Sequence, residues 1–302
     1  MPDADLTPGA GPAAEPGLEV IIVSHGAERL LRRCLSSLAE NPPSREMRVT
    51  VVDSGSTDST PDMVEREFPE VHLVRQDNIG FSAANNLILA ESEAPALLLL
   101  NPDTEVSAGA LDACLDRLEG DPAIGMVGCR LVTESGELDH ACKRSFPTPI
   151  GAVAHFTGMG RIPGAPKALT QYRATDLDDD RPGEVDAVNG AFMLVRREAV
   201  AEAGPLDEGY WLYMEDLDWC RRFWRAGRSV FYDPAATVVH VKGGSSPARR
   251  RPRQEIAFHR GMGRFYRRFD APGNPGWLNL AIYMAIAAKL AVSLLITAVR
   301  GR

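Results

Sequence analysis

From Leu18 onward, short apolar runs alternate with stretches whose apolar residues recur at helical spacing. The runs "EVIIVSHG", "RVTVVDSGS", "VHLVRQ" and "ALLLLNPD" have the length and residue types of buried strands. Between and after them, "ERLLRRCLSSLAE", "TPDMVEREF", "FSAANNLILAES" and "SAGALDACLDRLEG" read as helices. Leu30, Leu31, Cys34, Leu35 and Leu38 share one face, as a helix lying on a sheet requires. This alternation predicts an α/β fold with a mostly parallel, doubly wound sheet, which binds ligands beyond the carboxyl ends of its strands. The polar residues at those ends are Ser24 and His25, then "DSGSTD", "RQDN" and "NPD".

Past "IGMVGCRLV" the regularity fades. Residues 133–184 are rich in Pro, Gly and Asp and are expected to form an insertion or flexible loop, a candidate lid over the crevice. Order returns with "VNGAFMLVRREAV" and "GPLDEGYWLYMEDLDWCRRFWRAG", then a strand pair around "SVFYDPAATVVHV". Residues 1–17 lack a basic leader and a large apolar run, so they are expected to be a disordered tail, not a secretory signal. The five cysteines are odd in number and lack metal spacing, which points to reduced thiols in a cytosolic compartment.

Charge divides the chain. Residues 1–241 carry 21 Lys/Arg against 39 Asp/Glu, whereas 242–302 carry 12 against 2, so the two parts should meet different partners. The expected organisation is the tail 1–17, a catalytic domain over 18–246, and a basic and apolar helical segment over 247–302.

Several polar clusters could carry chemistry. Asp53 ends an apolar strand before small hydroxyl residues, where a carboxylate can accept hydrogen bonds from a base or from ribose. An Asx-type turn with an N-cap at Thr60 and Pro61 at the first helical position explains the same residues. Asp103 is a candidate ligand for a hard cation beneath a diphosphate, with a capped turn as the plain alternative. "YMEDLDW" places Glu215, Asp216 and Asp218 among aromatics, more acids than a helix start needs. His240 ends "ATVVH" and is either a metal ligand or a buried, satisfied imidazole.

Taken in order, "VIIVSHG", "VVDSGSTDST", "DNIGFSAANN", "LLLLNPDTEV", "VNGAFMLVRREAV", "GPLDEGYWLYMEDLDWCRRFWRAG" and "VVHVKGGSS" resemble the family 2 glycosyltransferases, especially their rhamnosyltransferase-like branch. The resemblance covers about residues 18–246. It implies a GT-A fold, a nucleotide-sugar donor, Mg²⁺ or Mn²⁺, and inversion at the anomeric carbon. It also implies that Asp53 contacts the donor's base or ribose with Ser24 and Arg75 nearby, and that Asn78, Gly80 and Asn85 shape the nucleotide pocket. Asp103 matches the last acid of the family's DxD metal motif, with Asn101 in place of the first acid and His240 as the second ligand. Asp216 matches the second acid of the ED motif and is the expected general base. Glu215 would orient the acceptor, Gly190 would lie near the sugar, and Trp211 and Tyr213 would be acceptor platforms. "KRSFP", Lys143–Pro147, resembles a basic stretch that could meet phosphates, or is a solvated pair on a loop.

The segment 242–268 is strongly basic and runs into the apolar "GWLNLAIYMAIAAKLAVSLLITAV". No nucleic-acid motif accompanies it, and an anionic membrane surface explains it better. Lys289, Ser293 and Thr297 give the apolar stretch a polar stripe, which favours a helix in the interface, or packed against another copy as a homo-oligomer, over a simple span. The resemblance, together with this tail, implies transfer of L-rhamnose from dTDP-rhamnose to a lipid-linked glycan acceptor at the cytoplasmic face of the cell membrane. A UDP-hexose or galactofuranose donor, and a catalytically silent glycan-binding scaffold, are the competing readings.

Overall fold

The computed structural model describes residues 16–147, 177–241 and 252–300. Four strands form a parallel unit in the order β3-β2-β1-β4: β1 (Leu18–Ser24), β2 (Met47–Ser54), β3 (His72–Gln76) and β4 (Ala96–Leu100). Helices α1 (Glu28–Glu40), α2 (Thr60–Glu67) and α3 (Phe81–Glu91) are the crossovers. The predicted face of α1, Leu30 to Leu38, is buried as expected. Every residue of β4 is buried, which is why its sequence is a continuous apolar run and does not alternate. The expected cap Thr60 is instead the first residue of α2, and its amide and hydroxyl both donate to the Asp58 carboxylate.

Beyond β4 the sheet is mixed. Strand β10 (Phe192–Arg196) runs antiparallel between β4 and β6 (Ile124–Val132), and β11 (Ser229–His240) is again parallel to β6. The short strands β5 (Thr104–Val106) and β8 (Gly183–Glu184) pair antiparallel with β11. A separate ribbon joins β7 (Lys143–Arg144) to β9 (Ala187–Val188). Helices α4 (Ala110–Gly120), α5 (Arg197–Ala203) and α6 (Glu215–Arg225) complete the layers.

Two expectations change. The predicted strand pair around "SVFYDPAATVVHV" is one strand, because β11 pairs with β6 on both sides of a register shift between Asp233 and Thr237. The Asp-Pro turn signal is absorbed as an irregularity, with Asp233 accepting from the Ala235 amide at 3.0 Å and from Arg117 at 2.8 Å. The first part of the expected lid is also built into the body. Asp139, Cys142 and Lys143 are buried, and the Asp139 amide donates to the Leu131 carbonyl at 2.8 Å. Residues 148–176 of that region lie outside the described residues, as do 1–15 of the expected disordered tail. All five cysteines are free and buried.

The chain closes with α7 (Pro252–Phe269), a 3-10 turn at Ala271–Gly273, and α8 (Gly276–Arg300). Phe265 and Phe269 enter the main core, so α7 is part of the body. Helix α8 is held through a second cluster, Tyr266 with Ile282 and Ile286, locked by a 2.6 Å bond from the Tyr266 hydroxyl to Asn279 Oδ1. Trp277, Leu280, Met284 and Leu295 project from α8, each more than 60% exposed. The stretch Gly276–Ala298 is long and apolar enough to cross a membrane, with a mean hydropathy of 2.1. Lys242 and Arg249–Arg251 of the basic run lie outside the described residues.

Gly80 joins the parallel unit to the loop before α6. Its φ is +97°, and a Cβ there would lie 2.8 Å from the Trp211 carbonyl oxygen and 2.4 Å from the indole ring. Gly80→Ala should therefore destabilise the fold by about 1–3 kcal/mol, read as a fall in denaturation midpoint.

Candidate active site

Parallel pairing aligns Ser24 with Asp53 and Asp53 with Arg75 at the carboxyl ends of β1, β2 and β3. Ser24 and Asp53 are buried; Asp53 Oδ2 accepts from the Ser56 amide at 3.1 Å, while its Oδ1 and the Ser24 Oγ have no hydrogen-bond partner among the described residues. Two buried acceptors without partners are what a ligand's N–H and O–H groups would satisfy. Arg75 lies beside Asp53 in the register as expected, and its half-exposed guanidinium pairs with Glu65 at 2.9 Å and Asp62 at 3.4 Å on α2. The Asn78 amide packs against Gly55, whose φ of +71° turns the chain out of β2. Asn85 is buried and its Nδ2 donates to the Phe81 carbonyl of its own helix at 2.9 Å.

The loop before α6 is clamped to α3. The Phe81 amide donates to the Trp211 carbonyl at 2.9 Å, Ser82 Oγ to the Tyr210 carbonyl at 2.8 Å, and Asn86 exchanges two bonds with the Leu206 backbone. Trp211 is accordingly seated against Gly80, with the Arg253 guanidinium 4.2 Å from its ring. One face of the expected platform is thus covered by α7, although its indole N–H is buried without a partner among the described residues. Tyr213 meets Phe258 edge-on at 6.0 Å.

At the other side of the site, Asp103 and His240 come together because β5 and the end of β11 are paired at Thr104 and His240. His240 Nε2 lies 3.6 Å from Asp103 Oδ1, and Nδ1 lies 3.3 Å from Asp139 Oδ2. Burial acts to lower the imidazole's pKa, but hydrogen bonds and charge from Asp103 and then Asp139 outweigh it and raise it to about 9. The described residues contain no cluster of three or more His, Cys, Asp or Glu suited to a metal. A buried carboxylate beside an imidazole fits a divalent cation that keeps several positions for water and phosphate oxygens. Asp139, in an irregular stretch with no motif, was not legible as a site residue; it occupies the place of the carboxylate that typically fixes a ligating histidine.

The acids of "YMEDLDW" open α6 after two residues with left-handed backbone, Tyr213 at φ 69° and Met214 at φ 74°. Such paired strain at non-glycine residues is sustained only where the surroundings enforce it. Asp216 Oδ2 accepts from Arg144 Nη2 at 2.5 Å and from the Gly190 amide at 3.2 Å. Arg144 also donates to the Val188 carbonyl. The "KRSFP" pair is therefore neither solvated nor free for phosphate. Arg144 holds Asp216, and the buried Lys143 pairs with Asp179 at 2.7 Å beneath the Tyr232 ring. Glu215 is buried, its Oε2 has no hydrogen-bond partner among the described residues, and burial followed by the Asp216 charge raises its pKa to about 8. Asp218 is excluded from the site: fully buried, it faces Arg222, Arg268 and Tyr210.

The two acidic halves are joined by backbone. The Asn101 amide donates to the Ala191 carbonyl at 3.0 Å, and the neighbouring Gly190 amide donates to Asp216.

Two outcomes follow from these charges. Asp139→Asn retains a hydrogen-bonding group beside His240 but not the charge, and should weaken Mn²⁺ binding about 10–100-fold in calorimetric titration. Since the Glu215 carboxyl titrates near 8 in the fold against an ordinary 4.5, its contribution to wild-type stability declines as pH rises through that window. Glu215→Gln should thus match the wild type near pH 4 and exceed its Tm by several degrees at pH 9, read by scanning calorimetry.

Similarity to known proteins bears on the family and the fold. The family model "Glycosyl transferase family 2" matches residues 19–202. An N-acetylglucosaminyl-diphospho-decaprenol L-rhamnosyltransferase of Mycobacterium tuberculosis is 30% identical over 288 residues, 91% of each chain. The rhamnosyltransferase WbbL of Escherichia coli K12 is 27% identical over 73% of this chain and 82% of its own. Among solved structures, the mannosyltransferase PcManGT from Pyrobaculum calidifontis, in complex with GDP-Man and Mn²⁺, superposes with a TM-score of 0.57 at 18% identity, covering 96% of this chain and 77% of that one. The fold is thus GT-A-like, and the chain belongs to glycosyl transferase family 2, as an enzyme of sugar transfer.

Proposed function

We propose that this protein is an inverting rhamnosyltransferase that moves L-rhamnose from dTDP-rhamnose to a hydroxyl of a polyprenyl-diphosphate-linked glycan in cell-envelope synthesis. The observation that carries the reading is the Asp216 carboxylate, held by Arg144 and the Gly190 amide on a turn bonded to the one that bears Asp103. The names of the relatives supply the sugar and the class of acceptor.

In this mechanism the unsatisfied acceptors of Asp53 and Ser24 receive the nucleoside. Asp103 and His240 would hold Mg²⁺ or Mn²⁺, which when bound supplies positive charge at the donor's diphosphate. Asp216 takes the proton from the acceptor hydroxyl as that oxygen forms a bond to the anomeric carbon. The bond from that carbon to the diphosphate oxygen breaks on the opposite face, so one displacement inverts the centre. Arg144 and the Gly190 amide fix the carboxylate against rotation, a contribution of positioning. Glu215, neutral at pH 7 with its pKa near 8, is a hydrogen-bond donor toward the acceptor and does not compete as a base. The exposed apolar face of α8 and the basic α7 rest on an anionic membrane surface on the cytoplasmic side, where a lipid-linked acceptor is presented.

Asp216→Asn should lower kcat by about 10²–10⁴-fold while leaving donor affinity within a factor of three. A thermal-shift panel of nucleotide sugars with Mn²⁺ or Mg²⁺, followed by transfer assays on a lipid diphosphate acceptor, tests the donor. Preferential stabilisation and turnover with dTDP-rhamnose is expected, and turnover with a UDP-hexose or a galactofuranose donor alone would overturn the assignment.

A further inference from the structure

A second polar cleft is lined by none of the acids assigned to the candidate site. It has a volume of about 550 Å³ and is lined by Pro205, Asp207, Arg222, Arg264, Arg267 and Arg268. Four guanidinium groups face one lining carboxylate, with the buried Asp218 behind them. Asp207 is fully engaged: Arg264 grips it with two bonds at 2.7 and 2.9 Å, and Arg268 adds a third at 2.9 Å. Asp218 accepts from Arg222 Nε at 2.6 Å, from Arg268 and from the Tyr210 hydroxyl. Arg222, Arg264 and Arg268 are thereby oriented, Arg267 is exposed beside them, and two acids do not balance the four positive charges. Arg222 sharpens the point, because its side chain is nine-tenths buried and its Nη2 has no hydrogen-bond partner among the described residues. A buried, charged N–H group left in that state is costly unless a ligand completes it.

We propose that this cleft is a binding site for a phosphoryl group. A planar guanidinium presents paired donors that match phosphate oxygens, and several converging on a cleft select a polyanion over a single carboxylate. The placement gives the site a use. Helix α7 supplies Arg264, Arg267 and Arg268 to the cleft and Tyr266 to the seat of α8, so the anion site and the exposed apolar face are carried by one helix. A phosphate held there sets the orientation of the catalytic body relative to the source of that phosphate. The source is either the headgroup of an anionic lipid or a soluble phosphate, and the chemistry of recognition is common to both.

The test uses the full chain in EDTA, which withholds the cation needed to hold a diphosphate at Asp103. Titration with inorganic diphosphate in a calorimeter should give one site, weakened at least fivefold in Arg267→Gln, a substitution at an exposed position that leaves the fold intact. Arg222→Lys should weaken it similarly, and Arg66→Gln, a surface control, should not change it. Absence of diphosphate binding, or binding unaltered by Arg267→Gln, overturns the proposal. Sedimentation with phosphatidylcholine vesicles, with and without phosphatidic acid, then identifies the source. Loss of the phosphatidic acid increment in Arg267→Gln supports the site with a lipid headgroup as its ligand. An unchanged increment, with diphosphate binding still weakened, supports it with a soluble one.

Discussion

The antiparallel pairing of β10 with β4 is the constraint on which the site depends. Had β10 continued the parallel pattern, the turn before it would lie at the opposite edge of the sheet from the carboxyl end of β4. Because it runs the other way, Phe192 pairs with Leu100, and the Asn189–Ala191 turn sits directly on the turn that carries Asp103. Gly190 in that turn then reaches Asp216 with its amide, and a Cβ at 190 would lie in ordinary contact with the Asp216 side chain at 3.5 Å. The turn that bears Asp103 and the turn that bonds Asp216 are joined through one strand's direction.

Around this joint the protein spends stability on fixed charge. Arg144 with Asp216, and His240 with Asp103 and Asp139, are pairs withdrawn from water, where replacing them with well-packed apolar residues would often cost nothing. Their value is geometric. Each holds an ionised or hydrogen-bonding group at a set position in the fold, a preorganised arrangement of charge. The left-handed backbone at Tyr213 and Met214 serves the same end, since it turns the chain sharply enough to present Glu215 and Asp216 at the start of α6. That strained turn is held from behind by Gly261 of α7, where a Cβ would lie 3.1 Å from the Tyr213 carbonyl.

Helix α7 therefore has several duties. It fills the main core with Phe265 and Phe269, braces the catalytic loop, stacks Arg253 on Trp211, and carries α8 through Tyr266. A basic helix that looks in sequence like a membrane-facing appendage is packed into the core of the body.

The sequence by itself determined the parallel unit, because strands covered on both faces must be continuously apolar and the helices between them must show one apolar face. It also determined Asp53, Asp103 and Asp216 as candidates, since carboxylates at strand ends and helix starts stand out against apolar flanks. Only tertiary structure decided their partners. Arg144 and Asp139 come from a segment without periodicity, and nothing local distinguishes a buried charge from a solvated one; the partner that neutralises it is distant in the chain. The same reason hides the partners of Arg75, which shares the register of Asp53 and pairs with acids on α2, and of Asn85, which bonds its own helix. A strand pattern records which residues must leave water, whereas the pairing of polar groups depends on directions and registers that are fixed only when the sheet closes.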